Sequence, residues 1–329
     1  MNWSRYLKFV LGSALMFAVV IYAFILVLDP YQNVPFSPAL NRAPVSTNQR
    51  FSYPSIARDP GFDSVVIGTS TSRLLDPRLL GELTGASFAN LSMNSATAYE
   101  QTRLFELFLR HHPAMRFLVV GIDEVWCAAG RDAEKYTFRD FPEWMYDENR
   151  WNDLTYLLND KALEDAVRMF ELLIGKREEK YRHDGYRDFT LSFPAWDEKV
   201  VGARLREVRE PGRKLGMPVP EWKRPGLDFG SLLVLRGILQ RLPVTARTVL
   251  FLPPLHGGYI EAAADRLGEC KGRLLSLLST LNRTAILDMM VISPATLDPH
   301  NYWDPLHVTR DAAVRLTPAL ARTLLRDKS

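Results

Sequence analysis

Cysteine is almost absent from this chain: there are two in 329 residues, Cys127 and Cys270. That excludes a disulfide-dense scaffold, and with no C-x-x-C pair it excludes a thiolate zinc site. A single bridge is open if the domain lies in an oxidising compartment, and two buried thiols if it does not; spacing does not choose between them. An excess of charge of one sign is also missing, with 41 basic against 38 acidic residues and a net charge of +3. So small and scattered a surplus argues against a nucleic-acid surface, and no nucleic-acid partner is expected. Internal repeats and low-complexity tracts are absent too, which excludes solenoids and disordered arrays. What the chain has in ordinary measure is apolar residues, 47%, against 24% charged, enough to bury a sizeable core in one large domain or two small ones.

Phe9 to Leu28 is a run of 20 positions without a charge. As a helix it spans roughly 30 Å, the thickness of the hydrocarbon layer, and it shows no polar face. Arg5 and Lys8 precede it and Asp29 follows. Positive flanks stay in the cytoplasm, so residues 1–8 are expected inside and the rest outside, as a single-pass inner-membrane protein. The run ends Leu26-Val27-Leu28-Asp29-Pro30 without a small-x-small cleavage site, which favours a retained anchor over a signal peptide.

Residues 29–60, rich in Pro, Asn and Ser, read as an extended connector to a domain at 61–329. In that domain Ser64–Ile67, Ser87–Leu91, Arg116–Ile122, Val249–Leu252 and Thr284–Leu287 have the character of short buried strands. Helical periodicity covers Thr97–His111, Glu261–Leu281 and Arg310–Arg326, the last with Pro318 as its expected kink point. Alternating strands and helices predict an α/β fold with a parallel sheet covered on both faces, three layers in all. Residues 127–242 break the rhythm and read as a largely helical insertion, with one helix near Asn159–Ile174.

Three polar clusters follow strand ends, where open α/β sheets bind ligands. Gly68-Thr69-Ser70-Thr71-Ser72-Arg73 places a serine in a tight turn; the competing reading is a helix cap. Asn90-Leu91-Ser92-Met93-Asn94-Ser95 offers small and amide donors, or caps the helix near Thr97. Tyr302-Trp303-Asp304-Pro305-Leu306-His307 puts Asp304 and His307 three apart, so the carboxylate can fix the imidazole tautomer and leave the other ring nitrogen as a base. His256, after the Val249–Leu252 strand, is a candidate for lining the same crevice. His300, Asp304 and His307 lack an evident fourth ligand, so no metal is expected. Trp144, Tyr146, Trp151 and Trp196 in the insertion are candidates for stacking on sugars, against the plainer reading of core aromatics.

Taken together, Gly68-Thr69-Ser70, Asn90-Leu91-Ser92, Gly121-Ile122-Asp123 and Asp304-x-x-His307 resemble the blocks of the SGNH (GDSL-like) hydrolases over roughly Ser64 to Arg326. Thr69 stands where that family usually has Asp, Ser92 where it has the oxyanion Gly, and Asp123 where it has Asn. The anchor followed by Asp29-Pro30-Tyr31, and Pro253-Pro254-Leu255-His256, are similar to membrane-anchored members of bacterial envelopes that act beside integral membrane acyltransferases. The resemblance implies a serine esterase or O-acyltransferase acting on an envelope or exopolysaccharide glycan without a cofactor, with a periplasmic or extracellular domain. Ser70 would be the nucleophile, His307 the base, Asp304 its orienter, and Ser92, Asn94, Asp123 and His256 would line the oxyanion and substrate site. Partners would be the glycan or an acylated donor, an integral membrane acyltransferase, and the bilayer around residues 9–28. The alternative is a weak or inactive accessory partner of that acyltransferase. Asp123 decides much of this, because a carboxylate cannot donate as an amide does. The sequence favours an Asp123 turned away and paired with a base such as Arg73 or Arg103.

Overall fold

A computed structural model describes residues 3–37, 42–127, 135–193, 195–207, 230–278, 281 and 283–326. Within them the chain divides into two compact units. One comprises Met1–Ser55 and Pro142–His183, the other Ile56–Phe141 and Asp184–Ser329.

In the first unit, α1 (Trp3–Leu28) is the apolar helix, 26 residues long. Only 6% of its most apolar window is buried, which sets it apart from the core helix of a soluble protein and gives it the length and composition to cross a membrane. Its last turn is fastened by Arg42, whose guanidinium donates to the Leu28 carbonyl at 3.0 Å. Asp29 follows with φ 40°, and its carboxylate accepts from the Asn33 and Val34 N–H groups. The connector, expected to be extended, instead forms α2 (Gln49–Ala57), with Pro54 inside it. Proline there leaves the Arg50 carbonyl without its helical donor. The buried Tyr146 hydroxyl takes that carbonyl at 2.8 Å.

The second unit holds a five-stranded, all-parallel sheet in the order β2-β1-β3-β4-β5. The strands are β1 (Ser64–Ile67), β2 (Phe88–Asn90), β3 (Phe117–Gly121), β4 (Arg247–Leu252) and β5 (Thr284–Asp288). Helix α3 (Pro77–Thr84) follows β1, and α4 (Ala98–His111) follows β2. Two further helices belong to the inserted region, α5 (Asp160–Leu173) in the first unit and α6 (Glu198–Glu207) in the second. Then come α7 (Gly230–Leu239), α8 (Gly257–Ala262), α9 (Ala264–Leu278), α10 (Pro294–Leu297) and α11 (Arg310–Leu325), which runs on through Pro318. The described part of the insertion thus holds α5, α6, α7 and short 3-10 turns between irregular segments, and residues 128–134, 194 and 208–229 of it lie outside the described residues.

Strand composition explains the layering. Val66, Val119, Val249 and Phe251 pack with Leu80 of α3 and with Leu320 and Leu324 of α11 in one core. The alternate residues Val65, Leu118, Val120 and Leu250 are buried as well, so both faces of the sheet are covered. This is the α/β architecture expected from the sequence. From β1 the chain passes to β2 on one side and then to β3 on the other, so the carboxyl ends of β1 and β3 flank the switch point where such folds open a crevice.

Candidate active site

The loop after β1 makes a single 3-10 turn, Ser70–Ser72, with Thr69 as its N-cap. Two glycines allow it to sit so low. Gly68 and Gly121 end the paired strands β1 and β3, and a Cβ on Gly121 would fall on Ser72 Oγ and 3.1 Å from Ser72 Cβ. The chain behind Ser70 is fixed by Asn90, at the end of β2. Its Nδ2 donates to the carbonyls of Ser72 (3.0 Å) and Leu75 (2.9 Å).

Asp304 and His307 sit together on a loop closed at its neck by the bridge between Tyr302 and Val308. Trp303 N–H donates to the His307 carbonyl at 2.9 Å. The Tyr302 hydroxyl donates to the Leu255 carbonyl at 3.1 Å. Asp304 Oδ1 accepts from the Leu306 N–H (2.8 Å) and the His307 N–H (2.9 Å), a turn that folds the carboxylate back over its own loop. Both carboxylate oxygens also meet His307 Nδ1, at 2.9 and 2.8 Å. Burial works against the Asp304 charge, but the hydrogen bond and charge of His307, with those two N–H groups, bring its pKa below the ordinary carboxylate value. An ionised Asp304 fixes the proton on Nδ1 and leaves Nε2 as an acceptor. The Ser70 hydroxyl donates to that Nε2 at 2.8 Å. The structure therefore brings Ser70, His307 and Asp304 into one hydrogen-bonded line across 237 residues of sequence.

The other expected residues fall differently. The Ser92 N–H, expected to face an oxyanion, donates to Asn90 Oδ1 at 3.0 Å and is occupied. An asparagine two residues ahead captures that N–H as a local turn. Asn94 lies beside the nucleophile loop, its Oδ1 accepting from Arg73 at 2.8 Å, which turns the amide nitrogen the other way. His256 is an N-cap: its Nδ1 accepts from Gly258 N–H at 3.2 Å at the start of α8, and its own N–H holds the Pro305 carbonyl at 2.9 Å. It supports the His307 loop from outside, and His-Gly-Gly before a helix is a capping signal that was readable.

Asp123 is buried, 8% exposed, at the end of β3. It accepts from the Thr69 hydroxyl, from the Thr71 hydroxyl at 3.2 Å and from the Val125 N–H at 3.3 Å. Hydroxyls thus receive the carboxylate, while Arg73 binds Asn94 and Arg103 lies 3.8 Å from Glu106. The carboxylate clamps both threonines that flank Ser70, so it fastens the Ser70 loop. Burial raises its pKa above the ordinary value, opposed by those hydrogen bonds.

That shift has a checkable sign. A carboxyl group raised in the folded state stabilises the fold fully below its unfolded pKa and loses that contribution as pH climbs through the folded value. Thermal unfolding of the wild type and of Asp123→Asn should show the wild type gaining on the variant as pH falls from neutral toward about 4, the unfolded value. Parallel curves, or a wild type that loses ground on acidification, would contradict the assignment.

One further residue, Phe189, had no signal in the sequence. The Phe189 ring stands edge-on to His307, centroids 5.9 Å apart, and the Arg73 guanidinium lies 5.0 Å above the same ring. Of the insertion aromatics, Trp196 stacks on His300 at 4.6 Å and Trp144 on Tyr156 at 5.3 Å. Tyr146 is fully buried, whereas Trp151 is exposed beside Phe36. His300 Nδ1 pairs with Asp298 at 3.0 Å. Cys270 is disulfide-bonded, and the chain has one other cysteine, Cys127. No protein-family model matches the chain, and no curated protein matches it.

Proposed function

We propose that the second unit is a serine-dependent acyl-transfer enzyme, an esterase or O-acyltransferase held at a membrane by α1. The carrying observation is the continuous hydrogen-bond line from Ser70 Oγ through His307 to Asp304. Ser70 Oγ attacks an ester carbonyl while His307 Nε2 takes its proton. The leaving alcohol departs with that proton and an acyl-Ser70 remains. A glycan hydroxyl or water then attacks the acyl carbon, giving its proton to Nε2, and Ser70 Oγ is released reprotonated. With Ser92 N–H occupied, oxyanion donation falls to the Ser70 N–H and to the Asn94 amide oriented by Arg73.

Asn94→Ala is expected to lower kcat by about 10²-fold or more with little change in KM, the loss typical of one oxyanion donor. Equal kcat values for wild type and variant on a small aryl ester would remove Asn94 from that role.

An envelope or exopolysaccharide glycan as acceptor follows from the likeness to envelope SGNH proteins. A retained α1 with Arg5 and Lys8 in its first two turns, ahead of the uncharged run, and a disulfide at Cys270, support a domain outside the cytoplasm. Protease added to intact spheroplasts should digest the domain; complete protection there, with cleavage only after lysis, reverses the orientation. The second reading, a non-catalytic partner of an integral membrane acyltransferase, is favoured by the acid at Asp123 and the occupied Ser92 N–H. A serine-reactive fluorophosphonate separates the two: labelling at Ser70 supports catalysis, and no labelling supports the partner reading.

A further inference from the structure

Helix α1 is longer than a membrane needs. Its 26 residues extend about 39 Å, some 9 Å more than the hydrocarbon layer. That surplus is the charged N-terminal stretch Trp3–Lys8, while the first unit packs on the opposite, C-terminal end of the helix. Along α1, the side chains up to Val20 are exposed except for the half-buried Ala18, whereas Ile25 and Leu28 are buried. The Tyr22 hydroxyl donates to the Leu154 carbonyl at 2.8 Å, and Phe24 meets Phe170 of α5 with ring centroids 6.2 Å apart. The last two turns of α1 are therefore flanked by α5, at the level where a bilayer gives way to headgroups.

At that level α5 carries an uncovered apolar stripe. Val167, Phe170 and Ile174 recur at helical spacing and are 41%, 44% and 46% exposed, with Leu173 beside them at 54%. The opposite face is buried through Ala162, Ala166 and Met169. Glu164 and Glu171 run along one edge of the stripe, and Glu164 is paired with Arg168. Nearby, Trp151, Tyr156 and Leu158 are exposed within four residues of Leu154, the contact of Tyr22. An apolar stripe with a charged margin and exposed Trp and Tyr is the pattern of a helix lying in the interface plane.

We infer that the Val167–Phe170–Ile174 stripe of α5 is a lipid-facing surface, seated in the leaflet nearest the C-terminal end of α1. This rests on α1 spanning the bilayer. The occupant follows from continuity: α5 packs against the anchor, so lipid that surrounds α1 reaches the stripe without a partner being recruited. The first unit is then a second, shallow attachment that fixes its own height and tilt at the membrane surface.

The test uses the full chain in phosphatidylcholine–phosphatidylglycerol nanodiscs, with nitroxide labels on Val167→Cys, Ile174→Cys, Glu164→Cys and Val19→Cys, one at a time. Power saturation compares collisions with oxygen, which concentrates in lipid, and with a water-soluble nickel chelate. Labels at 167 and 174 should favour oxygen several-fold over the label at 164, and the label at 19 should favour it most. If 19 is in lipid while 167 and 174 meet nickel as freely as 164, the anchor stands and the inference falls. If 19 also meets nickel freely, the anchor itself falls. Labels at 167 and 174 shielded from both reagents would mean a protein cover, a second copy or a partner, and would equally overturn it.

Discussion

Ser70→Ala should lower ester cleavage by about 10⁴-fold or more, roughly 5 kcal/mol of transition-state stabilisation, with the protein still folded. The size follows from the role: without Oγ no acyl-enzyme forms, and only the oxyanion donors and substrate binding remain. Folding should survive because Ser70 is only partly buried and the hydrogen bond of its Oγ runs to His307, itself partly exposed. The measurements are steady-state hydrolysis of an aryl ester and fluorophosphonate labelling, with the unfolding midpoint as control. The same variant in cells should leave the envelope glycan without its acyl groups. A variant that still modifies the glycan at the wild-type level would mean that the crevice binds and does not react. Asp123→Asn completes the comparison. A clamp that holds Thr69 and Thr71 gains nothing from an amide, so activity should fall or stay level; a gain of about 10-fold would show the carboxylate opposing an oxyanion.

Gly121→Ala is the largest effect expected on the fold, about 2 kcal/mol or more of lost stability, with activity lost alongside. The new methyl group would land on Ser72 Oγ, 3.1 Å from Ser72 Cβ and 3.5 Å from Gly68 Cα. Ser72 is completely buried and its carbonyl is held by Asn90, so it has little room to yield. The loop would lift, and Ser70, two residues away, would move off His307. Removing the obstruction should restore most of the loss: Ser72→Gly in the Gly121→Ala background should give a coupling of at least about 1 kcal/mol in a denaturant-based double-mutant cycle. Additive single effects would show that the crowding is relieved elsewhere.

Much of the sheet was legible because parallel strands buried on both faces are short, unbroken apolar runs. Ser64-Val65-Val66-Ile67 and Phe117-Leu118-Val119-Val120 are such runs, and each ends at a glycine that the close approach of Ser72 requires. Ser70, Asp304 and His307 were legible for a related reason: they follow strand ends or precede a capped helix, and Asp304 meets His307 across a single turn. What was not legible depends on contacts distant in sequence. Asp123 meets Thr69 across 54 positions, and no pattern near either residue announces it. Phe189 comes from the insertion, where neither period 2 nor period 3.6 governs the chain. Ser92 and His256 are different cases. Asn-x-Ser and His-Gly-Gly are local signals of a side chain turning onto nearby backbone, and here that local chemistry prevailed over the distant role expected of each residue. Helix α2 was hidden by Pro54, because the hydroxyl that satisfies Arg50 comes from Tyr146, 96 residues on.

Asp304 and His307 share one loop, pinned by Tyr302 below and by His256 at Pro305, whereas Ser70 arrives on another strand. The base and the group that aims it therefore travel as one body. Thermal motion has a single joint to open, the 2.8 Å link between Ser70 Oγ and His307 Nε2. Opening it leaves the imidazole with its proton still on Nδ1 and its carboxylate still in place, so the site can release and regain Ser70 without resetting the tautomer of His307.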